Sequence, residues 1–115
     1  MNTSACTIII PAHNERKVVA ESVRAIRRAL DQTGRKWEII VVDDGSTDET
    51  FSCASEALGP AGRVIRLDPC RGKAGAIMEG VRLCTTEYLL FTDADLSVPP
   101  EFFAPPRLRL TKLDP

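Results

Sequence analysis

Tyr88-Leu89-Leu90-Phe91-Thr92-Asp93-Ala94-Asp95 is an apolar run that ends in two carboxylates one residue apart, and it reads as a buried strand emerging into solvent. Open α/β sheets collect ligands in the crevice beyond the carboxyl ends of their strands, where aspartates so spaced can converge on one hard cation. An Asp-x-Asp step also arises by chance, and many strand-end aspartates only solvate a turn. Two earlier segments repeat the pattern. Ile8-Ile9-Ile10 runs into Pro11-Ala12-His13-Asn14-Glu15, and Ile39-Ile40-Val41-Val42 runs into Asp43-Asp44-Gly45-Ser46-Thr47-Asp48. In a parallel sheet these three ends share one edge, so one site can draw on all of them.

The segments between complete the pattern. Ala5 to Ile10 is a short β-branched run suited to a strand covered on both faces, and Pro11 is expected to end it. From Glu15 to about Gln32, Val18, Val19, Ser22, Val23, Ile26 and Leu30 recur at helical spacing, with Gly34 as the stop. Trp37 to Val42 is a second strand. Ser46 and Thr47 are candidate N-caps for a helix reaching Leu58, and Ser46 with Glu49 has the spacing of a capping box. Gly59-Pro60 closes that helix, and Arg63 to Leu67 reads as a third strand. The loop Cys70-Arg71-Gly72-Lys73-Ala74-Gly75 leads into a helix from about Lys73 to Cys84, and Tyr88 to Thr92 is the fourth strand. This alternation predicts an α/β fold, a mostly parallel sheet of about four strands with helices on both faces. After the acidic step, Pro99, Pro100, Pro105, Pro106 and Pro115 exclude a central strand or long helix. Residues 105–115 are expected to be an irregular, Pro-rich and poorly ordered end, with the chain stopping early.

A chain of 115 residues with 43% apolar content fits one domain. Lys and Arg total 15 against 16 for Asp and Glu, a balance that gives no reason to expect a nucleic acid as partner. Arg24, Arg27 and Arg28 read more simply as a solvated helix face than as a phosphate or anionic-lipid patch. Cys6, Cys53, Cys70 and Cys84 form no C-x-x-C pair and His13 is the only histidine, which argues against a structural zinc and for reduced thiols. No segment has signal-peptide character, and no run reaches the ~18 apolar residues of a membrane span. The expected location is the cytoplasm, with work at the cytoplasmic face of a membrane still open.

The polar clusters carry the chemistry. Asp43 and Asp44 stand where a carboxylate can cap a helix or accept from a ligand; capping accounts for one of them and does not need both. Glu15 has the same two readings. Lys73, among glycines at a helix start, can meet a phosphate or simply be an exposed loop lysine, and the Walker A spacing is absent. His13 reads as a surface turn residue, not a general base, because no nucleophile motif accompanies it. Asp93 and Asp95 are the metal candidates, since Mg²⁺ or Mn²⁺ is commonly held by one or two carboxylates plus substrate phosphates. Such a cation would neutralise charge on a departing diphosphate.

Taken in order, Pro11-Ala12-His13-Asn14-Glu15, Val41 to Asp48, Gly72-Lys73-Ala74-Gly75-Ala76 and Phe91-Thr92-Asp93-Ala94-Asp95 resemble the N-terminal half of a family 2 glycosyltransferase with the glycosyltransferase-A fold. Asp93 to Ser97 with Pro99-Pro100-Glu101 is most similar to the dolichyl-phosphate or polyprenyl-phosphate glucosyltransferase branch. The resemblance implies a nucleotide pocket lined by Pro11, His13 and Glu15, with Val42 and Asp44 near base and ribose, Lys73 at a phosphate, and Asp93, Ala94 and Asp95 at the diphosphate and metal. His13 stands where relatives often carry Tyr or Phe, and an imidazole can also stack on a base. Ser97 stands where mannose-type relatives often carry Gln.

The resemblance further implies that residues 1–104 form a nucleotide-sugar-binding half-domain. The expected activity is metal-dependent, inverting transfer of a hexose, glucose for preference, from a nucleotide sugar such as UDP-glucose to a polyprenyl or dolichyl phosphate. Full members continue into an acceptor-binding half with no counterpart here. That favours, as an alternative, a silent nucleotide-sugar-binding fragment; a sugar nucleotidyltransferase is the less expected reading, because Pro11-Ala12-His13-Asn14-Glu15 is not the glycine-rich, arginine-containing loop it should show.

Overall fold

The computed structural model describes residues 5–94 and 111–112. Within them the order is β1 (Cys6–Ala12), α1 (Val19–Asp31), β2 (Trp37–Asp43), α2 (Thr50–Leu58), β3 (Gly62–Arg66), α3 (Gly72–Leu83), β4 (Tyr88–Phe91) and β5 (Thr111–Lys112), with a 3-10 turn at Gly59–Ala61. The strands lie in the order β3-β2-β1-β4-β5. The first four are parallel, and β5 runs antiparallel to β4 at the edge.

The unbroken apolar runs of β1 and β2 follow from burial on both faces. Ile8, Ile10, Ile39 and Val41 join the larger cluster with Val23, Ile26 and Leu30 of α1 and Ala54 and Leu58 of α2. The alternate residues Ile9, Ile40 and Val42 meet Ala76 of α3 and Leu89 of β4. The side-chain period of two thus divides one apolar run between two cores. Close approach depends on two glycines. A Cβ on Gly80 would lie 2.6 Å from Ile9 Cγ2, and one on Gly62 would lie 1.9 Å from the Ile39 carbonyl oxygen.

Four expectations need correction. Pro11 does not end β1, which continues to Ala12 in register with Asp43. The Ile9 carbonyl accepts from Thr92 on the β4 side and the Ala12 carbonyl from Asp44 on the β2 side. By alternation, the position where Pro11 lacks an N–H faces β4, whose pairing has stopped at Ile9↔Phe91. The proline therefore stands where the next β1–β4 rung would need a donor, and it leaves the β2 side of the ladder untouched.

Helix α1 starts at Val19 instead of Glu15, because the preceding loop is tied elsewhere. The Glu15 amide donates to Thr50 Oγ1 at 2.8 Å and the Arg16 amide to Asp48 Oδ2 at 3.4 Å. The capping box does not form either: Ser46 Oγ accepts from the Asn14 amide at 2.8 Å. Finally, Thr111–Lys112 of the Pro-rich end, for which the sequence offered no partner, pairs with Tyr88 and Leu89.

Glu49 is the N-cap of α2 and makes no side-chain cap bond; Asp48, one residue before it, satisfies the first amide of the helix instead. Its Oδ1 accepts from the Thr50 amide at 2.9 Å and from the Thr50 hydroxyl. Partial burial works to raise the Asp48 pKa, but the Thr50 hydroxyl and amide, the Arg16 amide and the Arg16 charge outweigh it, leaving a value below the usual carboxylate range. A lowered native pKa stabilises the fold above the unfolded value of ~3.9 and is lost as pH falls through the native one. Asp48→Ala should therefore cost about 1 kcal/mol in urea unfolding at neutral pH, the usual worth of a cap. The gap from the parent should narrow below pH ~4; a gap independent of pH would refute the assignment.

Candidate functional site

The carboxyl ends of β1, β2 and β4 and the start of α3 meet at one edge of the sheet. There a cleft of about 230 Å³ is lined by Pro11, Ala12, His13, Glu15, Asp44, Lys73, Asp93 and Ala94. Four separate sequence segments contribute. The volume is below the roughly 300–1,000 Å³ of pockets that enclose a whole small-molecule ligand. Among the described residues it therefore suits one part of a larger ligand.

The β1–α1 and β2–α2 loops hold each other. Asn14 adopts a left-handed φ of 52°, which asparagine tolerates, and its Oδ1 accepts from the Thr47 amide at 2.8 Å. The Asp44 amide donates to the Ala12 carbonyl at 2.8 Å, and His13 Nδ1 lies 2.8 Å from the Asp44 carbonyl oxygen. The tautomer protonated at Nδ1 donates there.

The two adjacent aspartates separate in role. Asp43 is fully buried, accepts from the Ser46 amide at 3.0 Å and lies 3.4 Å from Arg66 Nη2. Asp44 turns toward the cleft and the start of α3, where its Oδ1 accepts from the Arg71 amide at 2.7 Å and its Oδ2 from the Cys70 thiol at 3.1 Å. Burial works to raise the Asp44 pKa. The Arg71 amide, the Cys70 thiol, the Gly72 amide and the His13 charge outweigh that and hold it below the usual value. Asp44 thus stays an ionised acceptor at the cleft wall.

Across the cleft, Lys73 from the first turn of α3 forms an ion pair with Asp93 Oδ1. The Asp93 side chain is 35% exposed, whereas Ala94 behind it is buried. Thr92 Oγ1, one residue before Asp93, is buried with no partner among the described residues. An accessible carboxylate beside a lysine, with only oxygen donors, has the chemistry of a hard-cation and phosphate site, so Mg²⁺ or Mn²⁺ fits the residues present.

Of the residues singled out in the sequence, Pro11, His13, Glu15, Asp44, Lys73, Asp93 and Ala94 come together in the cleft. Val42 does not. Its side chain is fully buried against α3, because one residue before Asp43 it falls on the opposite face from Val41. Asp95 lies outside the described residues. Sequence reasoning missed Cys70 and the Arg71 amide as partners of Asp44. The signal available was topological: a β3–α3 loop beside β2 must pass the end of β2.

The family model described as Glycosyl transferase family 2 matches residues 7–110. The undecaprenyl-phosphate 4-deoxy-4-formamido-L-arabinose transferase of Enterobacter sp. (strain 638) is 36% identical over 98 residues, which is 83% of this chain and 30% of that protein. The enzyme of the same name from Pseudomonas syringae pv. syringae is 37% identical over 99 residues, 83% of this chain and 29% of that protein. The chain thus spans under a third of the length of these relatives.

Among solved structures, a mannosyltransferase from Pyrobaculum calidifontis in complex with GDP-Man and Mn²⁺ superposes with a TM-score of 0.69 at 30% identity, covering 82% of this chain and 28% of that one. Glucosyl-3-phosphoglycerate synthase from Mycobacterium tuberculosis, in complex with Mn²⁺, UDP-glucose and phosphoglyceric acid, gives a TM-score of 0.70 at 25% identity over 86% of this chain and 36% of that one.

Proposed function

Because the chain belongs to glycosyl transferase family 2 and folds as the nucleotide-binding half of a glycosyltransferase-A enzyme, we propose that its cleft is the donor site of a sugar transferase that works with Mg²⁺ or Mn²⁺. The donor is a nucleotide sugar, with UDP-glucose the first candidate. The acceptor is a polyprenyl or dolichyl phosphate, met at the cytoplasmic face of a membrane, and transfer inverts the anomeric centre. The reading rests above all on Pro11, His13, Glu15, Asp44, Lys73, Asp93 and Ala94, from four segments of the chain, lining one cleft.

Within it each side chain has a task. His13 and Pro11 offer flat surfaces to the base, Asp44 accepts from base or ribose N–H and O–H groups, and Glu15 closes the same wall. Asp93, with Asp95 following it in sequence, would hold the cation, and Lys73 would meet the diphosphate. The bound cation supplies neutralisation of charge on the leaving diphosphate. A phosphate acceptor is already anionic, so the chain needs no general base of its own, which agrees with a cleft whose one histidine is turned to a backbone carbonyl.

Calorimetric titration with UDP-glucose should give binding with Mn²⁺ and at least tenfold weaker binding without it. A folded chain that binds no nucleotide sugar with either metal would reject the reading. The relatives' names make the nucleotide-linked 4-deoxy-4-formamido-L-arabinose the competitor to run beside UDP-glucose, and the tighter of the two identifies the sugar. Release of nucleoside diphosphate only on addition of undecaprenyl phosphate would establish transfer.

A further inference from the structure

We propose that His13, Asp44 and Cys70 form a second cation site, suited to a thiophilic divalent ion such as Zn²⁺, on the wall of the cleft and distinct from the oxygen-only carboxylate at Asp93. A ring nitrogen of His13, a carboxylate oxygen of Asp44 and Cys70 Sγ all lie within 4.8 Å of one another. Sulfur and carboxylate are already 3.1 Å apart. Zinc bonds of about 2.0–2.3 Å in a tetrahedron place ligand atoms roughly 3.3–3.8 Å from each other. Closing the cluster therefore takes side-chain rotations of about an ångström.

The three residues come from the end of β1, the end of β2 and the loop before α3, which is why spacing along the chain concealed them. Gly45 has φ +71°, and a Cβ there would press on Cys70 Cβ at 3.1 Å, so the turn after β2 and the Cys70 backbone are in close contact. The Arg71 amide fixes Asp44 Oδ1, leaving Oδ2 toward Cys70. His13 is oriented by its ring, with Nδ1 2.8 Å from the Asp44 carbonyl oxygen and Nε2 3.4 Å from the Asn14 side-chain amide, so the nitrogen that ligates an ion exchanges one of these contacts for it.

Ligand chemistry selects the ion. Thiolate with imidazole favours zinc over magnesium or manganese, and three protein ligands with an open fourth position make an exchangeable site and not a closed structural one. Cys70 and His13 are exposed, which provides the entry path. On binding, the Cys70 S–H bond breaks, its proton passes to buffer and the thiolate bonds the ion. Because Asp44 also lines the cleft, an ion held there takes the acceptor that the donor's nucleoside end would use. Zinc then opposes donor binding while manganese supports it; this consequence alone rests on the donor-site reading.

Co²⁺ titration of the reduced chain tests the site without any donor. The expected result is one Co²⁺ per chain with a thiolate charge-transfer band that Zn²⁺ erases. The band should vanish in Cys70→Ser and Cys70→Ala, weaken at least tenfold in affinity in His13→Ala, and persist in Cys84→Ser and Asp93→Asn. No band in the folded parent, or a band that survives both Cys70 variants, would overturn the proposal. One equivalent of Zn²⁺ should lower UDP-glucose affinity in Mn²⁺ for the parent and not for Cys70→Ser. A parent that shows the band but keeps its donor affinity would overturn the competition and retain the metal site.

Discussion

Asp93→Asn is expected to abolish metal-dependent donor binding, weakening UDP-glucose affinity in Mn²⁺ by roughly 100-fold or more with little change in thermal stability. Removing an outer-shell partner of a metal ligand already lowers metal affinity 10–100-fold, and a ligand's own charge should sit at or above the top of that range. Stability should hardly move, because Lys73 and Asp93 are 62% and 35% exposed and such pairs contribute about 0–1 kcal/mol. That contrast separates a ligand-holding carboxylate from a structural one. Titration of Asp93→Asn and Lys73→Met beside the parent, with thermal melts of all three, decides it. Unchanged affinity in Asp93→Asn would remove the cation from this position, and a large drop in melting temperature would make the pair structural.

Gly62→Ala is expected to be the most damaging small substitution in the sheet. The added methyl would lie 1.9 Å from the Ile39 carbonyl oxygen, more than an ångström inside contact, and the obstacle is main chain. Relief requires β3 to move off β2, across the register Ile39↔Gly62 through Asp43↔Arg66. A loss of about 3 kcal/mol or more follows, comparable to severe core lesions. In a domain of this size that lowers the melting temperature by roughly 12–24 °C. Gly34 is the comparison. Its φ is +72° but nothing lies within 4 Å of its missing Cβ, so Gly34→Ala should cost about 1 kcal/mol, the backbone term alone. Equal losses in the two variants would show that conformation, not the approach of Ile39, governs Gly62.

The layered α/β fold could be read because burial on both faces leaves a coarse mark: apolar runs of β-branched residues separated by a helical stripe such as Val19-Val23-Ile26-Leu30. What escaped was set by partners distant in sequence. Nothing near Glu15 announces that Thr50 will take its amide and delay α1, and nothing near Ser46 announces that Asn14 will claim its hydroxyl. Pro11 was misread because a proline's cost depends on which side of a strand lacks a neighbour, a property of the sheet. The cleft residues were legible as strand-end polar clusters, whereas Val42 needed the parity of its strand and Cys70 the adjacency of two loops.

The unequal lengths of the β1 pairings have a mechanical consequence. β1 is zipped to β2 over seven residue pairs but to β4 over only four, ending at Ile9↔Phe91. The sheet is therefore forked, with Pro11 in the crotch and its two prongs carrying different halves of the cleft: His13 and Asp44 on one, Asp93 on the other. A ligand touching both prongs acts as the rung that the ladder lacks, so occupancy would hold β4 against β1 at the end where their pairing stops.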